Sequence, residues 1–184
     1  MSFTFESLEI PDVMVVRPRR HPDDRGSFTE IYRKDVFAAA GIAPEFVQDN
    51  LVHSSGGVLR GLHYQLPPAA QGKLVRVVQG RIFDVAVDIR KGGPTFGGWV
   101  GRTLDAENGE MLWIPPGFAH GYCVLSESAD VLYKVTSHFN PERSRGIHWN
   151  DSLLEIEWPV VDPVVSDVDR EQPEFERCEN HFHV

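Results

Sequence analysis

Every second residue from Phe83 to Ile89 is apolar, and the residues between them are mostly polar. This period of two predicts a β-strand with one face in an apolar core. Similar short segments recur at a spacing of about 8–12 residues, separated by turns rich in Gly and Pro, such as Pro115-Pro116-Gly117. The pattern predicts an all-β sandwich or barrel.

The N-terminal part of the chain continues this pattern. Two strands are predicted around Ile10-Pro11-Asp12, followed by a turn at His21–Gly26 and a strand from Ser27 to Tyr32. One helix stands out, capped by Asp35 and ended by Gly41. We therefore expect one or two short helices beside the sheets.

Length and composition predict one domain over residues 1–184, with an irregular C-terminal segment at 159–184. We expect the last residues, with His181 and His183, to be a disordered tail. The net charge of −9 argues against a nucleic-acid partner. No apolar run has the length of a membrane helix, and no secretory signal is visible, so we expect a cytoplasmic protein with two reduced cysteines.

The segment Arg60–Gln65 and the following Lys73–Val77 combine cations, a histidine and a tyrosine with strand-forming residues. In an extended strand, Arg60, Leu62 and Tyr64 would share one face, with Gly61, His63 and Gln65 on the other. The small Gly61 would leave room for a ligand beside His63. We interpret this stretch as the wall of a cavity in which cations bind phosphate and a base removes a proton.

Two motifs resemble those of the cupin jelly roll. The spacing from Gly109 to His120 is G-x5-P-x-G-x2-H, and Gly57 to His63 is G-x5-H. Metal-binding cupins have a further histidine where this chain has Gln65, followed by a glutamate. Because that histidine and carboxylate are missing here, we expect neither a catalytic metal nor another cofactor.

A longer series of motifs resembles the dTDP-4-dehydrorhamnose 3,5-epimerase family, and it runs from about Pro11 to Pro173. It comprises Asp24-Arg25-Gly26, Glu30, Gln48-Asp49-Asn50, Leu59–His63, Gln71–Arg76, Asp84–Arg90, Pro94–Gly97, Gly117–Gly121 and Tyr133-Lys134. The resemblance implies a cupin-type jelly roll and a dTDP-4-dehydro-6-deoxy-D-glucose substrate. Its carbons 3 and 5 flank a ketone, so each can lose a proton to give an enolate.

His63 is the predicted base, since its ordinary pKa lies near working pH. The resemblance implies that Asp169 orients His63, although Asp167 is a rival in the same acidic segment. Tyr133 is the predicted proton donor, and Lys73 carries the charge that suits a developing enolate oxygen.

The family pattern also assigns polar substrate contacts and a base-stacking side chain, and it implies a homodimer that exchanges N-terminal strands. Arg25 and Glu30 would then reach the neighbour's pocket. The predicted substrate-binding residues are Arg25, Glu30, Gln48, Asn50, Arg60, Lys73, His120 and, stacking on the nucleotide base, Phe139.

Three alternatives remain open at this point. A relative that inverts only C3 or only C5 would have the same core residues. A metal-dependent cupin enzyme would need stoichiometric metal, and a sugar-binding cupin would have no use for the pair of His63 and Asp169.

Overall fold

The computed structural model describes residues 2–184 as two antiparallel β-sheets and a separate hairpin, which confirms the all-β prediction. The spatial order of the first sheet is β1 (Phe3–Ser7), β2 (Met14–Pro18), β10 (Met111–Ile114), β7 (Lys73–Gln79), β12 (Ser128–Val135) and β5 (Gln48–Ser55). The order of the second sheet is β13 (Ser144–Gly146), β6 (Leu59–Gln65), β11 (Phe118–Val124), β8 (Arg81–Asp88) and β9 (Trp99–Asp105). The hairpin is formed by β3 (Arg20–Asp23) and β4 (Gly26–Thr29).

The main core lies between the two sheets. Val75 and Val77 of β7 belong to the same buried cluster as Ile82 and Ala86 of β8. Each fully buried Val or Ile side chain among them stabilises the fold by about 1.5–3 kcal/mol. One part of the space between the sheets holds buried polar side chains instead, including Lys73. The sandwich thus positions a polar site inside an apolar frame.

The chain after β13 covers the outer face of the second sheet. Ile147, Leu154 and Phe182 pack with β6 and β8 residues in one apolar cluster. The expected disordered tail is wrong, because the Asn180 side chain is buried and its Nδ2 donates to the Ile89 carbonyl at 2.5 Å. The Ile89 carbonyl lies just beyond β8 and needs a hydrogen-bond donor, which the Asn180 side chain supplies. This contact holds the tail in place.

Two short α-helices are present, α1 (Lys34–Ala39) and α2 (Asp167–Arg170), with a 3₁₀ turn at Phe175–Arg177. The predicted cap by Asp35 is wrong. Arg33 occupies the cap position of α1, and Asp35 instead accepts a hydrogen bond from the Arg33 guanidinium at 3.0 Å. No helix within residues 2–184 has the length and apolar character to cross a bilayer.

The N-terminal hairpin also differs from the prediction. His21–Gly26 was expected to be a turn, but most of it is paired strand, with His21 opposite Phe28. The strand expected from Ser27 to Tyr32 ends at Thr29. The Phe28 side chain is 70% exposed, so the hairpin extends from the sandwich rather than packing on it.

Candidate active site

A cavity of about 390 Å³ opens between the two sheets, and an inner chamber of about 170 Å³ adjoins it. His63, Lys73 and Tyr133 line both spaces, so the two form one continuous site. The remaining lining residues of the outer part are Gln48, Asn50, Tyr64, Gln65, Gln71, Phe139 and Ser144. Those of the inner chamber are Val52, Arg60, His120 and Tyr122.

His63 is held by a carboxylate from the C-terminal segment. His63 Nε2 lies 2.6 Å from Asp169 Oδ1, and the Gly61 amide donates to Asp169 Oδ2 at 3.3 Å. Ser166 caps α2 by accepting the Asp169 amide at 3.1 Å, which aims the buried Asp169 at β6. Asp167 lies exposed on the same helix. The structure therefore pairs His63 with Asp169 and not with Asp167.

This contact sets the tautomer of His63. Burial by itself would raise the pKa of Asp169, but the hydrogen bond and charge of His63 lower it below its ordinary value. An ionised Asp169 accepts the hydrogen on Nε2, which leaves the Nδ1 lone pair free to take a proton.

A bulge in β6 changes which side chains face the cavity. The pairing of β6 with β11 shifts between His120 opposite His63 and Tyr122 opposite Arg60. Arg60 consequently lines the same chamber as His63, so the predicted grouping of Arg60 with Leu62 and Tyr64 is wrong.

Gly61 also has another role than the one predicted. Its φ is +129°, and a Cβ added there would lie 2.5 Å from the Gly121 Cα. The space beside it is therefore filled by the backbone of β11 and holds no room for a ligand. Glycine is required here because the two strands approach closely in a backbone conformation that other residues rarely adopt.

Lys73 is the first residue of β7, and its amine lies within the protein. Lys73 Nζ donates to the His63 carbonyl at 3.3 Å and lies 3.4 Å from His120 Nδ1. Burial lowers the pKa of Lys73 to about 8, while the negative charge of Asp84 acts in the opposite direction. The cation therefore has few competing partners and is available to a ligand in the cavity.

Tyr133 faces His63 from the other sheet. It belongs to β12, where it pairs with Asn50 of β5, whereas His63 lies on β6 of the opposite sheet. Burial raises the pKa of Tyr133, and the charge of Arg60 only partly opposes this shift. The phenol is therefore protonated at neutral pH, so it can donate a proton in the chamber that it lines together with His63.

Polar side chains form the wall beside Tyr133. Gln48 Nε2 donates to Asn50 Oδ1 at 2.8 Å, and Gln48 Oε1 accepts the Phe139 amide at 3.0 Å. The Phe139 ring is 61% exposed at the rim of the cavity. An exposed aromatic ring next to amide groups suits a flat heterocycle that both stacks and forms hydrogen bonds.

Comparison with known proteins agrees with this geometry. A family model described as dTDP-4-dehydrorhamnose 3,5-epimerase matches residues 7–177. The chain belongs to the dTDP-4-dehydrorhamnose 3,5-epimerase family. It is 57% identical over 162 residues to the dTDP-4-dehydrorhamnose 3,5-epimerase of Shigella flexneri, which covers 88% of this chain and 90% of that protein.

Solved structures in the epimerase family share the fold. A dTDP-6-deoxy-D-glucose-3,5-epimerase from Legionella pneumophila, in complex with dTDP-4-keto-L-rhamnose, has a TM-score of 0.92 at 44% identity, covering 95% of this chain and 94% of that one. A 3'-monoepimerase from Streptomyces bikiniensis, in complex with dTDP-quinovose, has a TM-score of 0.86 at 32% identity, covering 93% and 87%. The likeness is thus greater to the double epimerase, and the predicted cupin-type architecture is confirmed.

Two predicted binding residues do not line the cavity of a single epimerase chain. The Arg25 side chain is 89% exposed at the tip of the hairpin, where it pairs with Asp23 at 2.7 Å. Glu30 follows β4 and lies 3.9 Å from the Arg33 guanidinium. Both lie on or beside the projecting hairpin, away from the lining described above.

Several cavity residues had no predicted role. Gln71, Ser144 and Tyr122 line the site, and Asp84 lies behind it, 2.6 Å from His120 Nε2. For Asp84 the sequence did carry a signal, namely a carboxylate on the strand face that it shares with Ala86. Within residues 2–184, no group of three or more His, Cys, Asp or Glu side chains is arranged to hold a metal ion.

Proposed function

We propose that this protein converts dTDP-4-dehydro-6-deoxy-D-glucose to dTDP-4-dehydro-L-rhamnose by inverting C3 and C5. The observation that carries the proposal is one cavity with a carboxylate-bound histidine on one sheet and a buried lysine and tyrosine on the other. These are the three groups that inversion beside a ketone needs: a base, an enolate stabiliser and an acid.

In this mechanism His63 Nδ1 takes the proton from the carbon beside the ketone. The electrons of the C–H bond form a C=C bond, and the C4 oxygen becomes an enolate. Asp169 orients the His63 ring and stabilises the imidazolium that results, so it acts as a positioning residue. Lys73 stabilises the negative oxygen, a contribution of roughly 3–4 kcal/mol for groups of this kind.

Tyr133 then returns a proton to the opposite face of the same carbon, and the C4 carbonyl re-forms. The phenolate regains its proton from solvent, and His63 releases its proton there. Each turn of this cycle inverts one centre and consumes no co-reactant. Since C3 and C5 flank the same ketone, the same groups can act on both carbons in successive turns.

The remaining cavity residues suit the nucleotide half of the substrate. Arg60 contributes a guanidinium whose Nε donates to Ser54 Oγ at 3.0 Å, which leaves its terminal nitrogens for phosphate oxygens. Gln48 and Asn50 supply hydrogen bonds, and Phe139 stacks on the base. The Phe139 ring offers a stacking surface but has no hydroxyl group with which to form a hydrogen bond. The predicted contact from His120 is not part of this proposal, because its two ring nitrogens face Asp84 and Lys73.

The decisive experiment is incubation with the dTDP-ketosugar in D₂O, with NMR to locate the label. We expect deuterium at both C3 and C5 for the wild type. Label at one inverted carbon would instead identify a single-centre epimerase, and label at neither would refute the proposal.

Tyr133→Phe separates proton removal from proton return. We expect net inversion to fall about 10²-fold or more, because the donor on the opposite face is lost. His63 still removes protons, so recovered starting sugar should gain deuterium without inversion. Full inversion in the variant would contradict the assigned role of Tyr133.

We further propose that the active form is a homodimer in which Arg25 of the projecting hairpin and Glu30, just after it, complete the neighbour's cavity. The exposed Phe28 on this hairpin and the exposed, charged Arg25 favour such a contact. The unit of this assembly is the whole chain of 184 residues as one domain. We place the enzyme in the cytoplasm, where its two free thiols stay reduced.

Mixing two weakened variants tests the shared site. Arg25→Ala and His63→Ala chains are co-refolded, and kcat/KM is compared with that of each variant alone. In a two-fold symmetric dimer, about a quarter of the sites then combine an intact His63 with an intact Arg25 from the other chain. Activity no greater than the average of the separate variants would contradict the exchange, as would a monomer mass by light scattering.

A further inference from the structure

A second histidine and carboxylate pair lies at the floor of the cavity. Asp84 on β8 has 0% exposure, and its Oδ1 lies 2.6 Å from His120 Nε2. Its other oxygen, Oδ2, has no hydrogen-bond partner among residues 2–184. Burying a carboxylate in this way is costly, so the charge needs a compensating group.

The compensating charge lies on the other side of the imidazole. Since His120 Nε2 donates its hydrogen to Asp84, Nδ1 carries a lone pair, and Lys73 Nζ lies 3.4 Å from it. Burial lowers the pKa of His120, which favours the neutral ring that can accept from an ammonium group. The groups therefore form a row that runs from the Asp84 carboxylate through the neutral His120 imidazole to the Lys73 ammonium, which lines the cavity.

We infer that Asp84 is a positioning residue that acts through His120 to keep Lys73 protonated and directed at the reacting oxygen. The inference rests on the proposed function, in which Lys73 stabilises the enolate. A neutral lysine would lose the positive charge on which that stabilisation depends.

The charges around Lys73 support this role. His63 and Arg60 face it from β6, His120 and Tyr122 from β11, and Tyr133 from β12. None of these groups is a carboxylate. Burial lowers the pKa of Lys73, and Asp84 is the acidic group that acts against this shift.

The groups around Asp84 also support this role, since none of those named below neutralises its charge. Arg102 lies opposite Asp84 on β9, but its guanidinium is bound to Glu110 at 2.9 Å. Tyr122 and Cys123 of β11 are uncharged neighbours, because burial raises both of their pKa values. The negative charge of Asp84 is thus left to act on His120 and Lys73.

Asp84→Asn is the sharpest test, because the amide oxygen can still accept from His120 while the charge is removed. With ¹³C-labelled lysine, the Cε signals of the four lysines, Lys34, Lys73, Lys91 and Lys134, can be titrated and assigned by substitution. We expect the Lys73 midpoint to fall by about one pH unit or more in Asp84→Asn. Asp169→Asn is the control, because it removes the charge of the buried carboxylate that binds His63. It should leave the Lys73 midpoint unchanged.

Activity provides a second readout. The alkaline limb of the pH profile of kcat/KM should move down with the Lys73 midpoint, so that the loss in Asp84→Asn is about tenfold larger at pH 9 than at pH 6. An unchanged Lys73 midpoint, or an equal loss of activity at every pH, would overturn the inference.

Two controls keep the outcomes distinct. If the wild type exchanges no deuterium, the proposed function fails, yet the Lys73 titration still reports on Asp84. If Asp84→Asn does not fold, ¹⁵N NMR of the wild type decides, since the inference requires His120 with hydrogen on Nε2 and none on Nδ1. The opposite tautomer would overturn it.

Discussion

His63→Ala should lower kcat/KM for the dTDP-ketosugar by about 10³- to 10⁴-fold, and deuterium should enter neither C3 nor C5. The proposed cycle begins with proton removal by His63, one of whose ring nitrogens is bound to Asp169. His120 has a similar contact with Asp84, but its other ring nitrogen faces Lys73. Alanine leaves Asp169 without that partner but does not disturb the apolar core. The measurement is the initial rate together with NMR of the recovered sugar.

His181→Ala is the matched control for this change. His181 also contacts a carboxylate, Glu179, at 3.4 Å, but it lies in the C-terminal tail outside the cavity. We expect wild-type rates for this variant. If His63→Ala retains more than about a tenth of the exchange at either carbon, another group is the base.

Lys73→Met should produce the second-largest loss, about 10²- to 10³-fold in kcat/KM, since the enolate oxygen loses its cation. Methionine fills a similar volume but leaves the buried Asp84 without its compensating charge, so the melting temperature should fall. Rates are therefore compared at a temperature where both proteins are folded, which separates a role in the reaction from a role in folding.

Lys134→Met is the control, because Lys134 pairs with Asp49 at 2.7 Å at the protein surface. We expect it to change kcat/KM by less than about twofold. If Lys73→Met also stays within about threefold of the wild type, the enolate is stabilised by another group.

The period of two in apolar residues predicted the strands of the sandwich well where one face of a strand is apolar. From Phe83 to Ile89 the alternation survives in the structure, because β8 is paired on both sides without interruption. It failed at Arg60, where the bulge at Gly61 shifts the register and turns the side chain toward the cavity. A bulge depends on the partner strand, so a local pattern cannot reveal it.

The choice between Asp167 and Asp169 also lay beyond local reasoning. His63 and Asp169 are 106 positions apart, and their contact depends on how α2 starts at Ser166. Motif resemblance favoured Asp169, but only the folded chain places it. The role inferred for Asp84 was hidden for a similar reason, since its partners lie on two other strands.

The C-terminal segment has a consequence for how the enzyme is synthesised. Since Asp169 belongs to this segment, a nascent chain on the ribosome that stops short of it carries His63 without the carboxylate that orients it. The same nascent chain also lacks Asn180, whose side chain binds the carbonyl of Ile89. The pair of His63 and Asp169 therefore forms only after residue 169 has been translated and has left the ribosome.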